Sequence, residues 1–178
     1  TGSKAAEFTI TKPLTHNATV LVGTIADQVY QGKNVEPGVI VIDQYTDGST
    51  KHLLQENKEY TLSYKDNGKV GTATVTIQGK GCYTDSVKKT FTITQGSLRS
   101  DSVTAELKSS SDTVRRFTGS PVTPEIVVTC NENTLKEGTD YTLTYYKNTN
   151  VADASYAAIE GGDGLTFYGL KTLSFEIV

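Results

Sequence analysis

The sequence predicts an all-β chain made of two tandem β-sandwich modules. Three observations predict it. Apolar and polar residues alternate with a period of two over short stretches. Those stretches are separated by Gly, Asn and Asp turn signals at regular spacing. The whole pattern then occurs twice, at an offset of 81 to 87 residues.

The clearest stretch runs from Tyr60 to Tyr83. Tyr60, Leu62 and Tyr64 alternate with Thr61 and Ser63, and Ala73, Val75 and Ile77 alternate with Thr74 and Thr76. Asp66-Asn67-Gly68-Lys69 lies between the arms, and Asn-Gly suits a two-residue turn whose central residues both need positive φ. A turn at Asn67-Gly68 puts Tyr64 opposite Gly71, Leu62 opposite Ala73 and Tyr60 opposite Val75. Apolar then meets apolar, and a slip of one residue would invert every side chain.

The remaining elements follow in order. Residues 1–7 read as a leader, and Phe8-Thr9-Ile10-Thr11 as a short strand. Residues 19–25 form a strand candidate. Residues 39–43 carry the apolar run Val39-Ile40-Val41-Ile42, which suits a strand covered on both faces. A polar excursion from Gln44 to Lys58 precedes the hairpin, and a last strand covers residues 88–94. The second module repeats the order with strands over 103–107, 125–130, 141–147, 154–160 and 173–178.

The repeat rests on particular residues. Tyr30, Gly32 and Pro37 match Phe117, Gly119 and Pro124, each at an offset of 87. Tyr60, Leu62 and Tyr64 match Tyr141, Leu143 and Tyr145 at 81, Gly79 matches Gly161 at 82, and Phe91 and Ile93 match Phe175 and Ile177 at 84. The drift falls in loops, where insertions cost little. Module boundaries of 8–94 and 95–178 follow, with a short, stiff linker over 95–102.

Composition excludes several functions. Aromatics are mostly tyrosine (10 Tyr, 5 Phe, no Trp), and a net charge of −3 gives no basic footprint for nucleic acid. No apolar run is long enough to span a bilayer as a helix. There is no Met, so the sequence reads as a fragment of a longer chain. No cofactor motif is present, no cofactor or metal is expected, and the chain is expected to be monomeric.

Candidate chemistry is sparse. Cys82 has only His16 and His52 as potential bases, and with Cys130 it reads as one of two unpaired thiols, a bridge needing the two to meet. Asn148 to Asp153, with Asp163, supplies oxygen ligands without the acidic density of a calcium loop. Lys88, Lys89 and Lys171, with Asn67 or Asn148, carry the residue types of a Lys–Asn isopeptide, but lysine at a strand edge blocks edge pairing just as well. Tyr60, Tyr64, Tyr141 and Tyr145 fall in phase with Leu and Val and read as core. Tyr146, Tyr156 and Tyr168 fall out of phase or in an insertion, and are the candidate ligand contacts.

Together, Tyr-x-Gly…Pro-x-Val-x-Val, Leu135-x-x-Gly138-x-Asp140-Tyr141-x-Leu143-x-Tyr145, Gly71-x-Ala73-x-Val75-x-Ile77-x-Gly79-x-Gly81-x-Tyr83 and Phe-x-Ile form a pattern that resembles the immunoglobulin-like repeats of large Gram-positive surface proteins and adhesins. The likeness covers most of residues 29–94 and 116–178. It departs at Leu54-Gln55-Glu56-Asn57-Lys58-Glu59, which replaces Leu-x-x-Gly-x-Asp, and at extra residues over 160–166. The resemblance implies two tandem immunoglobulin-like modules in an extracellular, non-enzymatic, structural or adhesive stalk, with flanking domains of the same protein as partners. The rival expectation is a module that binds carbohydrate or host protein through loops of the second repeat.

Overall fold

The computed structural model describes residues 10–15, 20–44, 51–108, 114–151 and 154–178, without the side chains of Val114 and Arg115. Among these the chain is all-β, with several sheets and no helix, consistent with a β-sandwich. It divides into two compact units. One comprises Thr1–Gln28, Glu36–Asn67 and Thr72–Thr92, and the other Val29–Val35, Gly68–Gly71 and Ile93–Val178.

In chain order the first nine strands are β1 (Lys12–Pro13), β2 (Val20–Val22), β3 (Gln28–Val29), β4 (Val41–Gln44), β5 (Lys51–Leu53), β6 (Tyr60–Lys65), β7 (Gly71–Gly79), β8 (Tyr83–Thr84) and β9 (Ser86–Thr94). They form sheets ordered β2-β4-β5 and β3-β9-β7-β6, with β1 parallel to β8. The others are β10 (Gly96–Ser97), β11 (Val103–Leu107), β12 (Val114–Arg115), β13 (Ile126–Cys130), β14 (Asn133–Thr134), β15 (Thr142–Tyr146), β16 (Ser155–Gly161) and β17 (Phe167–Ile177). Their sheets are β11-β13-β14 and β10-β17-β16-β15, with β12 also paired to β17.

The inward faces are those the alternation predicts. Ala73, Val75, Ile77 and Ile93 are fully buried, and Phe91 and Tyr60 of the same copy are buried beside them. Ala157, Ile159, Phe175, Ile177 and Tyr141 do the same in the second.

The hairpin register differs from the sequence expectation. Tyr64 pairs with Val75, Leu62 with Ile77 and Tyr60 with Gly79, a shift of four residues along β7. An even shift keeps every side chain on its face, so the apolar match that fixes parity does not fix register. The turn is longer than Asn67-Gly68: Asp66 takes the left-handed conformation at φ 59 and Gly71 at φ 127, while Gly68 has no positive φ. Asn67 is buried rather than displayed at a turn tip.

Two further strands differ. The apolar run is not covered on both faces: β4 buries Val41 and Asp43, while Ile40 is 62% exposed. The strand alternates, so Val41 and Asp43 face inward and Ile40 and Ile42 face the other way. The last strand begins at Phe167, not 173, because Glu160 pairs with Leu170 and Gly161 with Gly169, which shortens the supposed insertion to a tight turn. Residues 1–9 lie outside the described residues. Ile10 and Thr11 are not in a strand, which begins at Lys12 instead.

The two copies share their hydrogen bonds as well as their letters. Leu54 N–H donates to the Val41 carbonyl at 2.9 Å, and Leu135 N–H to Val128 at 2.8 Å. Asn57 N–H donates to Tyr60, and Gly138 N–H to Tyr141, both at 2.7 Å. The Glu59 carboxylate accepts from Gln55 N–H at 2.8 Å, and Asp140 accepts from Lys136 N–H at 2.7 Å. The departure from Leu-x-x-Gly-x-Asp is therefore chemical synonymy. Asn57 tolerates φ 66 where Gly138 takes φ 79, and Glu59 caps the same turn as Asp140 with a longer arm. The Tyr64 hydroxyl donates to the Pro37 carbonyl at 2.6 Å and Tyr145 to Pro124 at 2.5 Å, and each ring meets a phenylalanine edge-on, Phe91 or Phe175.

Gly79 and Gly161 are required for close approach. A Cβ on Gly79 would lie 2.8 Å from the Tyr83 and Thr84 carbonyls, and one on Gly161 would strike the Phe167 carbonyl. At Gly68 it would meet only the end of the Asn34 side chain. Gly161→Ala should therefore lower unfolding free energy by about 1–3 kcal/mol. Gly68→Val should cost less than that. Chemical denaturation of both variants checks the order, and the reverse order would restore the two-residue turn.

Candidate functional site

The three out-of-phase tyrosines all lie on strands, not on loops or in an insertion. Tyr146 on β15 and Tyr156 on β16 are direct cross-strand partners. Their rings stack, with centroids 5.1 Å apart and planes 17° apart. Each spends one face on the other, and Tyr146 remains 41% exposed. Tyr168 lies elsewhere. Tyr156 pairs with Ser174, six residues further along β17 than Tyr168, which is about 20 Å of strand. The structure thus brings two of the three together and separates the third, which is 50% exposed opposite Ser97.

The in-phase tyrosines are structural. Tyr60 and Tyr141 are 5% and 4% exposed. Burial raises the phenol pKa of both, with Glu56 adding to it at Tyr60 and Glu137 at Tyr141. Tyr60 donates its hydroxyl to the Val39 carbonyl at 2.9 Å. Burial holds both phenols neutral, and both rings anchor the core.

A polar cluster in the first unit was missed by sequence reasoning. Asp43, only 3% exposed, accepts from Lys12 Nζ at 2.5 Å and from the Tyr83 hydroxyl at 3.0 Å. Its signal was in the sequence: Asp43 is in phase with the inward Val39 and Val41, so the alternation itself sends a carboxylate into the core. The shared hydrogen bonds match Asp43 to Cys130, Lys12 to Gly96 and Tyr83 to Phe167. The second copy has exchanged all three polar groups together.

In the second unit those replacements, Gly96, Cys130 and Phe167, line a cavity of about 480 Å³ together with Tyr30, Ser102 and Tyr168. Tyr30 and Phe167 meet edge-on at 5.8 Å. Cys130 is buried, with Sγ 3.7 Å from Ser102 Oγ, which lies 2.8 Å from Ser100 Oγ. No basic side chain is in this hydroxyl chain, so it has nothing to activate the thiol.

The other candidates are not assembled. Cys82 is exposed and Cys130 buried, both as free thiols, so no bridge joins them. His16 lies outside the described residues. His52 Nε2 pairs with Glu59 Oε1 at 2.8 Å. The Gln55 N–H, then the His52 ring, hold the Glu59 carboxyl below its usual range. Asn148 exchanges hydrogen bonds with Val122 at 2.8 and 3.1 Å, which makes it a turn staple. Asp153 lies outside the described residues, and Asp163 is exposed. No group of three metal-ligating side chains occurs among the described residues. Lys88 is exposed and Lys89 and Lys171 half-buried along β9 and β17, while Asn67 is buried. No described helix is long and apolar enough to cross a membrane.

Scanned against family models, curated proteins and solved structures, the chain matches none.

The buried carboxylate makes the first unit sensitive to its partners. Lys12→Ala should lower unfolding free energy by on the order of 2 kcal/mol, below the figure for a fully buried pair because Lys12 is about a third open to water. Replacing Lys12, Asp43 and Tyr83 together by Gly, Cys and Phe should cost less than the sum of the three single changes. Urea titration of the four variants checks this, and additive losses would show that the three groups do not act as a set.

Proposed function

We propose that the chain is a non-enzymatic structural or adhesive module of a larger extracellular bacterial surface protein, built from two tandem immunoglobulin-like sandwiches. The observation that carries this reading is the doubled hydrogen-bond set. Both copies keep the tyrosine–proline tie, the crossover cap and the close glycine contact, all of which serve folding. What varies between them is the outer faces and the single polar cluster. A module multiplied for its mechanical and spacing properties keeps its framework and lets its surface drift. An enzyme would instead show a constellation of nucleophile, base and orienting group. The extracellular location and the flanking domains as partners rest on the family resemblance alone.

A second reading has one observation in its favour. Tyr168 is half exposed beside a cavity rich in hydroxyls, a combination suited to a neutral sugar. It would make the chain a carbohydrate- or host-protein-binding module, with its contacts on strand faces of the second copy.

Single-molecule stretching of the chain separates the two. Two unfolding events are expected, each releasing about 280 Å of chain, the extended length of one repeat. A single event, or a smooth extension without force peaks, would remove the two-module reading. Saturable binding to a defined glycan that disappears in Tyr168→Ala would promote the second.

A further inference from the structure

We propose that the end of the second copy carrying Phe117 and Gly119 is one half of a junction, and that its partner is a further repeat of this fold joined in tandem. Phe117 is the counterpart of Tyr30 in backbone as well as in letters. Tyr30 N–H donates to the Thr94 carbonyl at 2.9 Å, and Phe117 N–H to the Val178 carbonyl at 2.7 Å. Two residues on, Gly32 and Gly119 take the same left-handed conformation, at φ 78 and φ 79. Yet Tyr30 is 8% exposed and Phe117 47%.

What covers Tyr30 is visible. Val29–Val35 belongs to the second unit, so these contacts lie wholly inside it. The Tyr30 ring meets Phe167 edge-on. A Cβ on Gly96 would lie 2.6 Å from the Tyr30 carbonyl oxygen and 2.5 Å from the Phe167 ring, so only glycine admits the tyrosine segment there. A Cβ on Gly32 would lie 2.7 Å from Leu135 Cδ2, whereas one on Gly119 meets nothing within 4 Å. Gln31 Oε1 accepts from Asn131 Nδ2 at 3.2 Å. One exposed ring alone would mean little. Here the same turn with the same kind of ring is seated in one copy and bare in the other, and the seated copy shows what fits.

The seat identifies its occupant's counterpart by chemistry: a glycine and an aromatic ring on paired strand starts, with a leucine beside them. The first copy has Lys12 and Tyr83 where the second has Gly96 and Phe167, and Lys12 Nζ is held by Asp43. A lysine fills the space that Gly96 leaves open, so the first repeat of a second copy of this chain does not fit Phe117. The seat in the second repeat is already taken by Tyr30. The partner is therefore another repeat with glycine and phenylalanine at the Gly96 and Phe167 places. Joined in tandem it needs little contact area, because the link makes docking intramolecular. This rests on the reading of the chain as tandem repeats and is independent of where the protein resides.

Appending a second copy of residues 95–178 directly after Val178 restores the Thr94-Gln95 spacing and supplies such a seat. Thermal unfolding of the original and extended chains tests the proposal. Tyr30→Ala should lower the melting temperature of both. Phe117→Ala should leave the original chain unchanged and lower the extended one about as far as Tyr30→Ala does. The chain has no tryptophan, so Phe117→Trp gives a single reporter. Its quenching by acrylamide should fall severalfold on extension and recover when the appended Gly96 is changed to Lys, the first copy's residue. A Phe117→Ala loss confined to the extended chain supports the proposal even where the larger tryptophan stays open. Phe117→Ala that is neutral in a folded extended chain overturns it, and does so without touching the two-module reading, which stretching tests separately. An appended repeat that fails to fold overturns that reading and the proposal together. An original chain whose mass rises with concentration unless Phe117 is replaced would assign this end to a second copy and overturn the proposed partner.

Discussion

A phenol half-buried against an apolar core must find an acceptor for its hydroxyl, and for two tyrosines of this chain the acceptor is the carbonyl of a proline. Tyr64 reaches Pro37 and Tyr145 reaches Pro124. The proline nitrogen carries no hydrogen, so its peptide unit enters no ladder through that side. Its carbonyl, in the next peptide unit, accepts the tyrosine hydroxyl. The bond joins strand β6 or β15 to the segment leading into β4 or β13, which belongs to the other sheet. Each ring then packs edge-on against a phenylalanine of the last strand. One side chain thereby sets the relation between two sheets, and the inward rows of Val, Ile and Ala fill the space that relation leaves.

The fold was legible to the extent that it depends on alternation. Val103–Leu107 is a strand over the residues read as one, and the inward faces of β7 and β9 follow the apolar letters. Register was less legible. A pattern that repeats every two residues cannot tell a shift of four from no shift, and the residues that decide it, Asp66 and Gly71, act through backbone conformation. The Asn-Gly pair was misleading because its turn preference is local, whereas Asn67 is drawn into buried surroundings by tertiary context. The crossover at Leu54 looked like a departure because letters were compared. In backbone terms Asn57 and Gly138 are the same residue.

The candidate site was less legible than the fold. Tyr146, Tyr156 and Tyr168 were separated from the core by phase, and their outward placement follows from it. Which of them meet depends on how β15, β16 and β17 are registered, and no single strand contains that information. The Lys12–Asp43–Tyr83 cluster joins residues 31 and 40 positions apart. Asp43 was visible as an intruder in an apolar run, but its partners were not. The second copy, where all three positions differ together, is what points to them as one unit. A buried carboxylate without its lysine is costly, so neither can change alone without loss.

The short parallel pairings have a mechanical meaning. In the second unit β10 lies parallel to the start of β17 through the Gly96 N–H to Thr166 and Leu98 N–H to Tyr168 bonds, and β12 lies parallel to its end. Tension applied to the chain pulls β10 from its N-terminal side and β17 from its C-terminal side. In parallel strands those pulls point in opposite directions along the ladder, so the Gly96 and Leu98 bonds are strained at the same moment instead of opening one after another. Leu98, fully buried, must also leave the core before the segment can slide. Under tension applied along the chain, this two-residue pairing would be loaded in shear rather than opened bond by bond.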